Sequence, residues 1–272
     1  AFGLEECGHY PQAEAMALRC VTLNPRDTWG VHALAHCYEM QGKTEAGISF
    51  MENCEAMWSG KNYLSIHNRW HLGLYYVEEC QFDRALAVHD AYMTVKPSAV
   101  LMDAHDSTAM LWRLQLDGVD TGDRWEATAK IYEPVVDQAY MCFTDMHAMF
   151  AFMATGRESH ARNLLAALEA NLDGPTSSSV VIKAAGLPIV QGIYAFGHGD
   201  YERAKELLSG YRHNSHLFGG SIAQRDIINL TLLAAARRTG DQAMVDALIA
   251  ERTLLRPHSP LTNFLALPEV AQ

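Results

Sequence analysis

The chain has 272 residues, of which 49% are hydrophobic and 19% are charged, and its net charge is −11. This composition provides enough apolar residues for a core, and the acidic balance argues against nucleic acid or an anionic membrane as a partner. No apolar run approaches 18 residues, so the sequence predicts no membrane-spanning helix. There is no basic signal-peptide region, and the six scattered cysteines form no C-x-x-C motif. We interpret them as buried, reduced thiols of a cytoplasmic protein.

Turn signals recur along the chain at intervals from 34 residues (8 to 42) to 43 residues (156 to 199). The turn residues are Gly8, Gly42, Cys80, Gly118, Gly156, Gly199 and Gly240. A small residue follows five positions later in most units, where it would let two helices approach closely. Periods of this length are typical of tetratricopeptide (TPR) hairpins, and no segment shows sustained strand alternation. The sequence therefore predicts an all-α fold, a right-handed α-solenoid of about seven TPR-like helical hairpins.

We expect one TPR-like α-solenoid domain over residues 1–272, with a short C-terminal cap at about 253–272. The run Ser178–Ile182 comes nearest to a strand pattern, but it follows a Gly-Pro loop and is predicted to open a helix. Ala1 has no capping residue before it, so we expect an N-terminally truncated first hairpin. An exposed apolar end would need a cover, which predicts a homo-oligomer or further residues upstream.

Two histidine pairs are the most unusual feature of the sequence. His32 and His36 are four residues apart, as are His67 and His71, and this spacing places each pair on one face of a helix. Glu39 and Glu78 follow on or near the same faces.

Further polar and aromatic residues precede the turn residues of several units, and so belong to the predicted inner helices. They are Trp70, Asp103, Asp106, Trp112, Asp145, His147, Gln224, Arg225 and Asp226. Because packed helices lie about 8–10 Å apart, we expect these residues and the four histidines to form one ligand-binding site on the concave face.

Three functions remain open at this stage. The first is binding of a small molecule or peptide in this His/Asp-rich pocket. The second is a metal-dependent enzyme in which His32, His36, His67 and His71 hold a transition metal; it is not a zincin, because Ala33 stands where H-E-x-x-H requires glutamate. The third is a protein–protein interaction scaffold without a small ligand, in which the polar residues bond to each other.

Several strings go beyond the general repeat pattern. They are Trp29–His36, His67–Leu72, Leu111–Val119, Asp145–His147, Gly186–Pro188, Gly219–Asp226, Ala250–Arg252 and Pro257–Leu261. On these residues, nearly the whole chain resembles the tetratricopeptide repeat protein 38 family. The resemblance implies a helical solenoid, further helices upstream of Ala1, and binding of peptides or partner proteins. It carries over no catalytic residues.

Overall fold

A computed structural model describes residues 1–94 and 100–267 of the chain. The described residues are 78% helical, and none of them lies in a strand. The predicted all-α class is confirmed. The α-helices are α1 (Phe2–Glu6), α2 (Tyr10–Leu23), α3 (Thr28–Met40), α4 (Thr44–Asn53), α5 (Glu55–Trp58), α6 (Ser65–Glu78), α7 (Phe82–Val88), α8 (Leu101–Leu116), α9 (Trp125–Tyr132), α10 (Cys142–Ala154), α11 (Glu158–Ala170), α12 (Ser177–Val181), α13 (Leu187–Gly197), α14 (Tyr201–Tyr211), α15 (Ile222–Arg238), α16 (Gln242–Leu255) and α17 (Pro260–Leu265).

Each of the seven turn residues separates two helices and has a φ between +54° and +81°. Glycine adopts this left-handed conformation without steric cost, which explains six of the seven positions; Cys80 occupies the other. The alanines five positions after four of the turns are fully buried. They are Ala13, Ala85, Ala161 and Ala204.

The run Ser178–Ile182 opens a helix, as predicted: α12 continues through a π-helical segment (Ile182–Gly186) into α13. This continuous helix, Ser177–Gly197, has a mean hydropathy of 1.5 and is long and apolar enough to cross a membrane. The prediction that no helix spans a membrane stays a prediction. The observation is weak evidence for a membrane span, because the helix is 56% buried and a core helix packed on several sides is apolar nearly all round.

The six cysteines are all free thiols. Cys37 and Cys142 are buried, whereas Cys7 is exposed and the remaining three are half-buried. The expectation of buried thiols therefore fits only two positions, because the other cysteines fall on outer helix faces or in turns.

The chain divides into two compact units. The first comprises Ala1–Met93 together with Ile249–Gln272, and the second comprises Thr94–Leu248. Both chain ends thus belong to the first unit. The expectation of one domain over the whole chain stays a prediction.

In the first unit, α3 packs against α2, α4 and α6, and α17 packs against α6. Asp27 caps the start of α3 by accepting a hydrogen bond from the Gly30 amide. The Tyr75 hydroxyl of α6 donates a 2.6 Å hydrogen bond to the Ala35 carbonyl of α3. Gly47 of α4 leaves room for this ring, since an added Cβ would lie 2.5 Å from it. These contacts fix α6 beside α3.

In the second unit, four helices close a ring, because α8 packs against α10, α10 against α13, α13 against α15, and α15 against α8. The Trp112 indole donates a buried 3.0 Å hydrogen bond to the Thr231 hydroxyl across the α8–α15 contact. The Arg113 guanidinium donates to the Ala223 carbonyl at 2.9 Å across the same contact. Helices α8 and α15 belong to the fourth and the seventh helix pair of the chain. In an open solenoid these two pairs would not touch, because each repeat contacts only its neighbours.

Candidate metal centre

Helices α3 and α6 bring the four predicted histidines into one cluster. The Nε2 atoms of His32 and His36 are 3.1 Å apart. The His71 ring lies 4.3 Å from the His36 ring and 5.1 Å from the His32 ring, measured between centroids, and the His67 ring lies 5.0 Å from those of His32 and His71. One ring nitrogen from each histidine falls within 4.8 Å of the others. We call this group the histidine cluster.

The histidine cluster is shut off from solvent. His36 and His71 have no exposed surface, and His32 and His67 are 5% exposed. Phe2 of α1 stacks on His32 with centroids 5.2 Å apart, and Trp70 stacks on His67 at the same separation. Aromatic rings therefore cover both pairs.

Burial also keeps the His32 and His36 imidazoles neutral. It lowers the pKa of His32 to about 3, with a further contribution from His67. Burial and the neighbouring histidines lower the pKa of His36 well below its usual value. A neutral imidazole offers a lone pair, which is the form that binds a metal ion.

Two carboxylates lie behind the cluster. Glu39 Oε2 is 3.4 Å from His71 Nδ1, and Glu5 Oε2 is 3.7 Å from His36 Nδ1. Burial raises the pKa of Glu5 to about 8, assisted by Glu6 and Glu39. A carboxylate that accepts a hydrogen bond from one imidazole nitrogen would orient the ring and leave its other nitrogen to bind a metal, as in carboxylate–histidine–zinc arrangements.

A buried ion-pair network continues outward from Glu39. Arg256 Nη2 donates to Glu39 Oε1 at 3.0 Å, and Arg256 Nη1 donates to Glu78 Oε2 at 3.3 Å. Arg252 Nη2 donates to the same Glu78 oxygen at 3.1 Å. All four side chains are at least nine-tenths buried. The two glutamates that follow the histidine pairs are thus neutralised by Arg252 of α16 and by Arg256, which directly follows that helix.

The geometry of the cluster fits a tetrahedral ion. A Zn–N bond of about 2.0–2.1 Å places tetrahedral nitrogens about 3.3 Å apart. The Nε2 atoms of His32 and His36, at 3.1 Å, are already close to this separation. The other ligand nitrogens, which lie within 4.8 Å of one another, would need to approach by at most about 1.5 Å. The Nδ1 atoms of His32 and His36 are buried and accept or donate no hydrogen bond among the described residues, whereas buried polar atoms normally find partners.

The remaining predicted site residues, apart from Trp70, belong to the second unit. Asp106 is buried, Asp103 is half-buried, and Trp112 bonds to Thr231 inside the ring. Gln224 and Arg225 form hydrogen bonds at the N-terminus of α15. Gln224 completes a capping box with Ser221, and Arg225 Nη1 donates to the Gly220 carbonyl. The prediction that this group, with Asp226, forms one site with the histidine cluster stays a prediction.

Asp145 and His147 are two residues apart on α10, so their side chains point about 200° apart around the helix. Burial raises the pKa of Asp145 to about 7 and lowers that of His147 to about 4. The His147 ring lies 4.8 Å from the His105 ring of α8. His147 therefore forms a pair with His105, which was not among the predicted site residues.

Sequence reasoning missed three members of the first-unit site: Glu5, Arg252 and Arg256. The two arginines have the same four-residue spacing as the histidines. This spacing is visible in the sequence, but it does not indicate that Glu39 and Glu78 are their partners. Glu5 carried no comparable signal, because only the packing of α1 on α3 buries it beside His36.

The fold and the site together define an all-α protein of paired helices with a buried four-histidine cluster. No family model matches this chain, and no solved structure matches it significantly.

Proposed function

We propose that this protein binds one divalent transition-metal ion through His32, His36, His67 and His71. The observation that carries the proposal is the convergence of four buried imidazoles, each of which offers one ring nitrogen within 4.8 Å of the others. A helix pair does not need ionisable groups at these positions, since apolar side chains would pack there at lower desolvation cost. Imidazole ligands suit zinc, copper, iron or nickel.

The site supports metal retention better than hydrolytic catalysis. Four histidines fill a tetrahedral shell, whereas catalytic zinc keeps one position for water or substrate. The burial of all four rings also leaves no open approach at these side chains. The enzyme alternative therefore ranks below a bound metal that stabilises the first unit.

Elemental analysis of protein purified without added metal tests this proposal. We expect about one transition-metal ion per chain, and restoration of that stoichiometry when chelator-stripped protein is titrated with Zn²⁺ or Co²⁺. Protein that carries no metal and takes up neither ion would overturn it.

We also propose that the helix pairs form a TPR-like solenoid in a cytoplasmic protein. The left-handed turn residues and the buried alanines at matched positions support the repeat. The ring in the second unit implies tighter curvature than an open superhelix. Self-association can be measured by analytical ultracentrifugation, and a single monomeric species over a wide concentration range would count against the proposed homo-oligomer.

Binding of a small molecule or peptide is the second candidate function, and one observation in the second unit favours it. His147 Nδ1 donates a 2.7 Å hydrogen bond to the Phe143 carbonyl, which leaves Nε2 as an acceptor in the neutral ring. His105 Nε2 is buried and has no hydrogen bond among the described residues. Native mass spectrometry should detect a co-purifying compound that is lost in His147→Phe; an identical spectrum for both proteins would argue against this candidate.

A further inference from the structure

Two buried arginines lie at the C-terminal end of α16. Arg252 is in the last turn of the helix and Arg256 directly follows Leu255, and each is only 8% exposed. The next residue, Pro257, holds its carbonyl against the α3–α4 turn, where a Cβ added to Gly42 would lie 3.3 Å from that oxygen. Phe264 of α17 contacts Phe82 with centroids 5.6 Å apart. The C-terminal segment is therefore packed against the helix pairs that supply the histidines.

Glu39 links this segment to the histidine cluster. One carboxylate oxygen accepts a hydrogen bond from Arg256, and the other faces His71 Nδ1. Arg256 simultaneously reaches Glu78 with its second terminal nitrogen. The planar guanidinium fixes both carboxylates at once, a geometry that the single ammonium of lysine cannot reproduce.

We propose that Arg256 is a positioning residue of the histidine site and sets its metal affinity by holding Glu39 against His71. The inference rests on the metal-binding function proposed above. A carboxylate that accepts the Nδ1 proton fixes the tautomer and the ring plane, so that Nε2 faces the metal. Arg256 orients that carboxylate in turn.

The consequence is regulatory. A residue 217 positions from Glu39 in sequence controls a site formed by the second and third helix pairs. Any event that lifts the C-terminal segment weakens metal binding without touching a histidine.

The test is a double-mutant cycle on metal affinity in the full chain. Chelator-stripped wild type, Arg256→Lys, Glu39→Gln and the double variant are titrated with Zn²⁺ and Co²⁺, after far-UV circular dichroism has shown that each is folded. We expect each single change to weaken binding by about 10–100-fold, the usual effect of losing an outer partner of a ligand. If Arg256 acts through Glu39, the double variant binds about as weakly as Glu39→Gln alone. The Co²⁺ ligand-field spectrum should change in the same three variants.

Arg69→Lys is the matched control, because Arg69 lies on α6, is equally buried and pairs with Glu55. We expect wild-type affinity and an unchanged Co²⁺ spectrum from it. Wild-type affinity in Arg256→Lys, or losses that simply add in the double variant, would overturn the inference while leaving the metal site intact. Failure of the wild type itself to bind either ion would overturn both.

Discussion

At the residue scale, the central fact is that four imidazoles meet in a dry environment. Burial and the neighbouring histidines lower the pKa values of His32 and His36, so a positive charge on either ring is disfavoured. Groups with such perturbed pKa values are more often functional than structural. The four-residue spacing on two adjacent helices supplies the geometry, and Glu5 and Glu39 lie next to Nδ1 of His36 and of His71.

Removal of one ligand gives the most direct prediction. We expect His36→Ala or His71→Ala to reduce Zn²⁺ affinity while helix content stays nearly intact. The reduction should exceed the about 10–100-fold loss that follows when a hydrogen-bond partner of a metal ligand is removed. Isothermal titration and far-UV circular dichroism measure the two quantities. The exposed His213 provides the control, since His213→Ala should bind as the wild type does. Equal affinities in all variants would exclude these histidines as ligands.

The pH dependence of stability provides a second prediction at this scale. The Glu5 pKa is raised from 4.5 to about 8 in the folded state, so between these values the unfolded chain loses a proton that the folded chain retains. This contribution to stability is complete below pH 4.5 and is lost as the pH rises through 8. Urea unfolding of metal-free Glu5→Gln should show a flatter pH profile in this window than the wild type. Glu45→Gln, at an exposed position, should keep the wild-type profile; matching profiles for all three proteins would contradict the prediction.

His32 and His36 act in the opposite direction. Their folded pKa values lie below 6.5, so the unfolded chain binds protons that the folded chain excludes as the pH falls through that value. We expect the metal-free protein to lose stability on acidification below pH 6.5, measured by the same urea titrations. Bound Zn²⁺ should steepen this loss, because protons then compete with the metal. Constant stability between pH 6.5 and 5 would contradict this prediction.

At the element scale, the register of α3, α4 and α6 determines whether the histidines meet. Tyr75 is fully buried and its hydroxyl reaches the Ala35 carbonyl, one residue from His36. This reach requires that Gly47 of α4 has no side chain. The small residue at this place in the repeat thus permits a specific interhelical hydrogen bond as well as close packing.

We therefore expect Gly47→Ala to destabilise the protein by about 1–3 kcal/mol, the usual cost of overpacking. The free energy of unfolding in urea measures the change. Gly210→Ala is the control: Gly210 also lies in a helix, but nothing is within 4 Å of an added Cβ. There the gain in helix propensity should stabilise the protein by about 0.5–1 kcal/mol. A stabilising effect at both positions would show that Tyr75 moves freely.

At the scale of the whole molecule, contacts between residues far apart in sequence complete each unit. The first unit combines both ends of the chain, and its buried arginines neutralise glutamates at least 174 positions away. The second unit closes through α8 and α15, whose bonded residues Trp112 and Thr231 are 119 positions apart. Such contacts favour cooperative unfolding of each unit over stepwise fraying of repeats.

Thr231→Val tests the closure of the ring. The isosteric change removes the acceptor of the buried Trp112 indole N–H, which should cost about 1–3 kcal/mol in the free energy of unfolding. Thr231→Ser retains the hydroxyl and should lose only part of this amount. Equal stability of the two variants in urea would mean that the hydrogen bond does not stabilise the α8–α15 contact.

The sequence by itself determined the local features of this protein. The spacing of turn residues predicted the helix boundaries because a left-handed turn requires glycine or a tolerant residue at one exact place. The i, i+4 spacing placed each histidine pair on one helix face because the helical repeat is fixed. Neither conclusion depends on which helices are neighbours.

Only the tertiary structure decided which faces meet. Helical periodicity carries no information about a partner 119 or 217 residues away, so the α8–α15 closure and the Arg256–Glu39 link could not be predicted. Glu5 likewise looked like an ordinary surface residue of an amphipathic helix until α1 buried it beside His36. The ligands of the candidate site follow from local spacing, whereas the groups that orient and neutralise them come from packing between distant segments.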